Sequence, residues 1–104
     1  MRPWIGVYYI PVTPVIAEEQ DLGVEYGALI GTTGGDEAVF PGSPADVAGL
    51  QAGDVIVAIN GEQITVDTDL SMLIIPHDPG DTITLRVLRD NAEREVEVTL
   101  GELP

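Results

Sequence analysis

Two serines, Ser43 and Ser71, and one histidine, His77, are the only residues of their types in this 104-residue chain, and they limit its chemistry. Ser43 precedes Pro44 and reads as a helix cap, because its hydroxyl can accept an orphan N–H of the first turn. No third group is placed to orient His77, and no Gly-x-Ser-x-Gly turn raises either serine as a nucleophile. A catalytic triad within the chain is therefore not expected. Asp67 and Asp69 lack the spacing, the central glycine and the closing glutamate of a calcium loop, so a solvated helix start is the expectation. With no Cys, neither a thiolate zinc site nor a disulfide framework can form. The residues point to no catalytic site, no metal and no cofactor. The aromatic and β-branched run 2–10, RPWIGVYYI, reads as a strand. Gly6 interrupts that run, and a glycine inside a strand pattern often marks a close approach by another backbone. Alternation puts Ile5, Val7 and Tyr9 on one face and Trp4, Tyr8 and Ile10 on the other.

The elements that would position this run centre on residues 42–61, GSPADVAGLQAGDVIVAING. Pro44 suits the first helical position, where no N–H is needed. Asp46 sets a carboxylate in the first turn, where the helix dipole favours it. Gly49 can close a short helix in the left-handed conformation. Gly53 and Asp54 turn the chain into five apolar residues, 55–59, which read as a buried strand. Asn60-Gly61 is a tight-turn signal.

This stretch resembles the most recognisable segment of PDZ domains, in the form found in HtrA/Deg-type serine proteases. The family pattern G-S-P-A-x-x-A-G-L-x-x-G-D-x-I-x-x-(I/V)-N-G is matched at every fixed position. Two further segments agree. Arg2-Pro3-Trp4-Ile5-Gly6-Val7 matches an opening Arg-Pro-aromatic-aliphatic-Gly-aliphatic, with Trp4 where Tyr is usual. Thr13-Pro14 through Leu22-Gly23 matches Thr-Pro-x-x-Ala-x-x-x-x-Leu-Gly. The resemblance covers residues 2–100 and implies one PDZ domain over 1–104. Its fold would be mostly β with two or three short helices (α+β), a partly open antiparallel β-barrel or sandwich of the circularly permuted bacterial type. It also implies the site. Amides around Trp4, Ile5, Gly6 and Val7 would form a concave anion nest for a peptide C-terminal carboxylate. The edge of Tyr8, Tyr9 and Ile10 would accept the peptide as an added strand. A second helix would form the other wall. On that reading Gly6→Val should block binding and leave the fold intact.

The rest of the chain fits this plan. Residues 15–22 read as a short helix ended by Gly23. Residues 26–33 read as a strand, and residues 32–40 as an extra hairpin with a turn at 33–36 and a short return strand at 37–40. Residues 62–64 continue a hairpin. Thr65 or Asp67 is expected to cap the next helix, which stops at Pro76. Leu70, Leu73 and Ile74 make its core face. Its groove-facing set is Asp67, Ser71 and Ile74, the shifted alternative being Thr68, Met72 and Ile75. Residues 82–88 and 93–100 alternate as a closing hairpin around Asp90-Asn91.

The charge is lopsided, with 18 acidic residues against four Arg and no Lys, for a formal net charge of −14. Such a surface repels phosphate backbones and anionic membranes, so nucleic acid is excluded as a partner. No apolar run approaches ~18 residues, so direct membrane insertion is not expected. No signal peptide is visible, and Met1 reads as an initiator added to an excised fragment. The expected partners are C-terminal or extended hydrophobic peptides of unfolded proteins, and the parent's own trypsin-like protease domain. The family implies an extracytoplasmic place, in a periplasm or cell envelope, for a serine endopeptidase whose catalytic domain lies outside this chain. Two alternatives accompany this reading. One is a gating module whose groove packs on its own protease domain. The other is a PDZ domain of another envelope protease, which would lack the Arg-Pro opening and the Thr-Pro helix.

Overall fold

Ser43 and Pro44 start a helix in the computed structural model, which describes residues 3–31, 38–65 and 67–102. The helices are α1 (Pro14–Glu19), α2 (Pro44–Ala48) and α3 (Leu70–Ile74). The strands are β1 (Pro3–Trp4), β2 (Tyr9–Pro11), β3 (Ala28–Ile30), β4 (Val55–Ile59), β5 (Glu62–Gln63), β6 (Thr82–Arg89), β7 (Ala92–Thr99) and β8 (Gly101–Glu102). Strands β2-β3-β4-β6-β7 form one antiparallel sheet, with β5 paired to β4, and β1 pairs with β8 in a second. Both sheets are open and neither closes into a barrel, within the expected mostly-β fold with three short helices.

Local chemistry accounts for the helix ends. Ser43 Oγ accepts the Asp46 N–H at 3.2 Å. The Asp46 carboxylate in turn accepts the Gly42 N–H at 2.8 Å. Gly49 closes α2 at φ 88°, in the left-handed region. Thr13 caps α1 as expected, but α1 ends at Glu19 and the chain reverses through Asp21 at φ 55°. Gly23 has another task, donating its N–H to Asn91 Oδ1 at 2.9 Å. Asp90 and Asn91 both take positive φ, as a two-residue hairpin turn requires. The strand expected over 2–10, interrupted at Gly6, divides there, and the φ of +88° at Gly6 turns the chain between β1 and β2. Of the expected strand over 26–33, Ala28–Ile30 forms a strand among the described residues, and residues 32 and 33 lie outside them. Of the expected hairpin, residues 32–37 lie outside the described residues, and Val39 forms a single bridge to Val7.

The apolar run of β4 is buried throughout because both faces of its sheet are covered. Ile56 and Ile59 join one core with Ile83, Leu85, Leu70 and Ile74. Val55 and Val57 join another with Val12 and Ala17 of the α1 side. A register shift between Ile56 and Ala58 explains why positions 56 and 59, three apart, share a core.

One buried charge holds the hinge of this frame. Asp54 is 1% exposed. Its carboxylate accepts Arg89 Nε at 2.8 Å, Arg89 Nη2 at 2.7 Å and the Gln51 N–H at 3.0 Å. Arg89 Nη2 also donates to the Gly49 carbonyl at 2.9 Å. The hydrogen bond to Asp54 raises the guanidinium pKa above its ordinary value, against a smaller opposing effect of burial. This fork pins the end of α2 to the end of β6. From the sequence alone Asp54 reads only as a turn residue.

Two outcomes follow for stability. Asp54→Ala or Arg89→Leu breaks a paired, buried carboxylate site, and thermal unfolding should show Tm lowered by on the order of 10 °C. An unchanged Tm in both variants would show the fork to be dispensable. Gly6→Val was expected from the sequence to spare the fold, and here the structure differs. A Cβ at Gly6 would overlap the Ser43 Cβ and lie 2.7 Å from its Oγ, and Ser43 is fully buried. The left-handed backbone adds roughly 1–2 kcal/mol for a residue with a Cβ. The variant should therefore melt well below the parent chain; a parental Tm with binding lost would restore the original expectation.

Candidate peptide groove

The loop after β1 turns its carbonyls inward and leaves its amides outward. Ile5 C=O accepts the Ala45 N–H at 2.9 Å, and Gly6 C=O accepts the Phe40 N–H at 2.9 Å. Among the described residues, none of the N–H groups of Ile5, Gly6 and Val7 is used in a hydrogen bond. The glycine is required by its positive φ and by Ser43 beneath it, not only by the close approach the sequence suggested.

Alternation then decides which strand residues present a free edge. Tyr8 donates its N–H to the Ala38 carbonyl at 2.8 Å and accepts the Gly31 N–H at 3.1 Å. Val12 donates to Gly27. The in-between pairs follow the antiparallel pattern, so Ile10 bonds Leu29, while Val7 and Tyr9 point their N–H and C=O groups away from the sheet. Strand β2 ends the sheet order, so this edge is open. The expected edge set was Tyr8, Tyr9 and Ile10. The structure keeps Tyr9, adds Val7 from the loop set, and engages Tyr8 and Ile10 with neighbouring strands. Tyr8 is 50% exposed and packs edge-on against Phe40 with ring centroids 5.1 Å apart, away from the groove.

Facing this edge is α3. A groove of about 270 Å³ lies between them, lined by Pro3, Trp4, Ile5, Gly6, Val7 and Tyr9 on one side and by Leu70, Ser71, Ile74 and Ile75 on the other. The whole loop set, Trp4, Ile5, Gly6 and Val7, is thus brought together. A five-residue helix has no stability of its own. Buried Leu70 and Ile74 anchor it, each side chain contributing about 1.5–3 kcal/mol on burial.

The helix wall departs from expectation at one residue. Asp67 was grouped with Ser71 and Ile74, but it is exposed and lies before the helix. Asp69 is the cap, its Oδ1 accepting the Met72 N–H at 3.1 Å. Neither Thr65 nor Asp67 caps α3, so the helical spacing that linked Asp67 to Ser71 does not exist. Ser71 and Ile74 line the groove as a pair, joined by Ile75 from the alternative set, and Met72 is exposed outside it. Leu70, assigned to the core, is both buried and at the groove base. A sequence signal was available: Asp69 stands immediately before Leu70, the first residue of the apolar period, where a cap belongs.

A polar contact spans the groove. The Tyr9 hydroxyl lies 2.7 Å from Ser71 Oγ and donates to Asp69 Oδ2 at 3.3 Å. It ties the cap of α3 to the free edge. Arg2, part of the opening motif, lies outside the described residues.

Comparison with known proteins places the chain in a family. Residues 5–100 match the family described as PDZ domain. A probable periplasmic serine endoprotease, DegP-like, of Hahella chejuensis is 40% identical over 103 residues, which cover 99% of this chain and 21% of that protein. A protein of the same description from Brucella suis biovar 1 is 39% identical, over 99% of this chain and 19% of its own length. The chain spans about a fifth of the length of these relatives. Among solved structures, HtrA-type protease AlgW with a decapeptide aligns at TM-score 0.81 and 28% identity, covering 99% of this chain and 30% of that one. The HtrA3 PDZ domain bound to a phage-derived ligand (FGRWV) aligns at 0.74 and 25%, covering 95% and 85%. Fold, loop and sequence concur, and the chain belongs to the PDZ domain family, in the form found in HtrA- and DegP-like serine endoproteases.

Proposed function

We propose that the groove captures the hydrophobic C-terminus of an unfolded or substrate polypeptide as an added strand. The outward N–H and C=O groups of Val7 and Tyr9, set beside an apolar groove, carry the reading. The outward amides of Ile5, Gly6 and Val7 receive the terminal carboxylate, and the last side chain packs between Ile5, Val7 and Ile74. Related PDZ-containing structures with peptides bound support this use of the fold. The captured chain is recruited to a trypsin-like protease domain of the parent protein, which works as a serine endopeptidase outside the cytoplasm like the relatives named periplasmic. This chain contributes binding and the parent contributes hydrolysis.

A direct test is amide NMR titration with an N-acetylated peptide ending in Val, beside the same peptide C-terminally amidated. Shifts should cluster at residues 5–9 and 71–75 and vanish with the amidated form. Shifts from neither peptide would favour a groove that serves its own protease domain. Salt gives a second readout. The peptide carboxylate approaches a chain of net charge −14, so raising salt from about 50 to 300 mM should tighten binding by screening the repulsion; weaker binding in salt would contradict a carboxylate held by neutral amides alone. Tyr9→Phe removes the hydroxyl that ties α3 to the edge. Losing its hydrogen bonds to Ser71 and Asp69, each of about 0.5–1.5 kcal/mol, should weaken peptide binding roughly two- to tenfold, with Tm lowered by several degrees at most. Unchanged affinity would show that the tie does not set the groove.

A further inference from the structure

The groove is not the largest concavity. A groove of about 470 Å³ opens on the far side of Trp4, between α2 and the end of the sheet. Its apolar lining comes from Trp4, Pro44, Val47 and Ala48, and Val47 is 82% exposed. Glu97, Thr99 and Glu102 line it as well.

Strand β7 is the other edge of the six-stranded sheet. The hydrogen-bond pattern shows which of its groups are free. Thr84 faces β4, since its carbonyl accepts the Asn60 N–H at 2.8 Å and its N–H reaches Asn60 Oδ1 at 2.8 Å. Ile83, Leu85 and Val87 therefore bond β7 through their register partners Val98, Val96 and Arg94. The Leu100 N–H donating to Asp81 at 2.8 Å has the same parity. Glu97 and Thr99 are left with backbone groups directed off the sheet, into the wall of this second groove.

The charges are equally one-sided. Among the described residues, Arg86 pairs with Glu93 and Arg89 with Asp54, while Glu97 and Glu102 have no cationic partner. A free strand edge, an apolar wall and two carboxylates that have no cationic partner among the described residues thus meet at one place.

We infer that this face is a second docking surface, for an extended, cationic polypeptide segment that places an apolar side chain against Val47 and Trp4 and its Arg or Lys residues beside Glu97 and Glu102. Backbone groups of Glu97 and Thr99 pair with the segment, and the carboxylates select its charge. The surface needs no free C-terminus, which separates it from the groove at β2. It stands whether or not that groove takes a carboxylate. The competing role for the glutamates is to keep the edge from pairing with anything.

The probe is a peptide blocked at both ends, acetyl-Arg-Arg-Leu-Ile-Arg-Arg-amide, with a Glu-for-Arg version as control. Trp4 is the only tryptophan in the chain, so its fluorescence reports on the shared wall. Amide NMR on the whole chain should place the Arg peptide at Val47, Glu97, Thr99 and Gly101, with affinity falling as salt rises. Val47→Arg and Glu97→Lys, both at exposed positions, should each weaken it at least tenfold with Tm unchanged. The Glu peptide should not bind. The inference is overturned if the Arg peptide moves none of these residues up to millimolar concentration, if it settles between β2 and α3, or if the Glu peptide binds as well.

Discussion

The contact between Gly6 and the buried Ser43 sets the loop on which the groove depends. Ser43 caps α2 through Asp46, and the backbone of Gly6 lies against it with no room for a Cβ. On either side, Ala45 holds the Ile5 carbonyl and Phe40 holds the Gly6 carbonyl. Carbonyls drawn inward force the neighbouring amides outward. A loop rich in unpaired N–H groups is thus a consequence of how α2 docks, and α2 is itself pinned by the Asp54–Arg89 fork at its far end. Site and scaffold share one set of bonds, and for that reason a change at Gly6 reads as a folding defect before it reads as a binding defect.

The two ends of the sheet are treated differently. At β2 the edge faces an apolar groove, and the tyrosine hydroxyl holds the opposing helix at a set distance. At β7 the edge carries Glu93, Glu95 and Glu97, all exposed, beside an apolar wall. Trp4 lines both concavities. An excess of fourteen negative charges makes either edge unfriendly to anionic partners, and only local geometry distinguishes them. Neutral amides can receive a carboxylate against that field; the carboxylates along β7 favour cationic partners.

Much of this was legible in the chain. Capping chemistry is local, so Thr13-Pro14, Ser43-Pro44 and Gly49 marked helix ends within a few bonds. The Asp90-Asn91 hairpin follows from residues that tolerate positive φ. The glycine loop and the apolar strand of residues 55–59 were placed from residue type alone, and the resemblance supplied the fold around them. The α3 wall was misjudged at Asp67 because three nearby residues, Thr65, Asp67 and Asp69, can all cap, and packing of Leu70 selects among them.

By itself the sequence determined the elements whose causes lie within a turn or two: caps, tight turns, the buried strand and the acidic surface. Tertiary structure alone decided the rest. Strand parity assigned the free backbone groups to Val7 and Tyr9, because it depends on which neighbour pairs first. The Tyr9–Ser71 and Arg89–Asp54 contacts join residues 62 and 35 positions apart, a separation at which no local pattern reports a partner. Gly6 carried a meaning that only its distant neighbour Ser43 could give it, since the space denied to a side chain is set by what packs there.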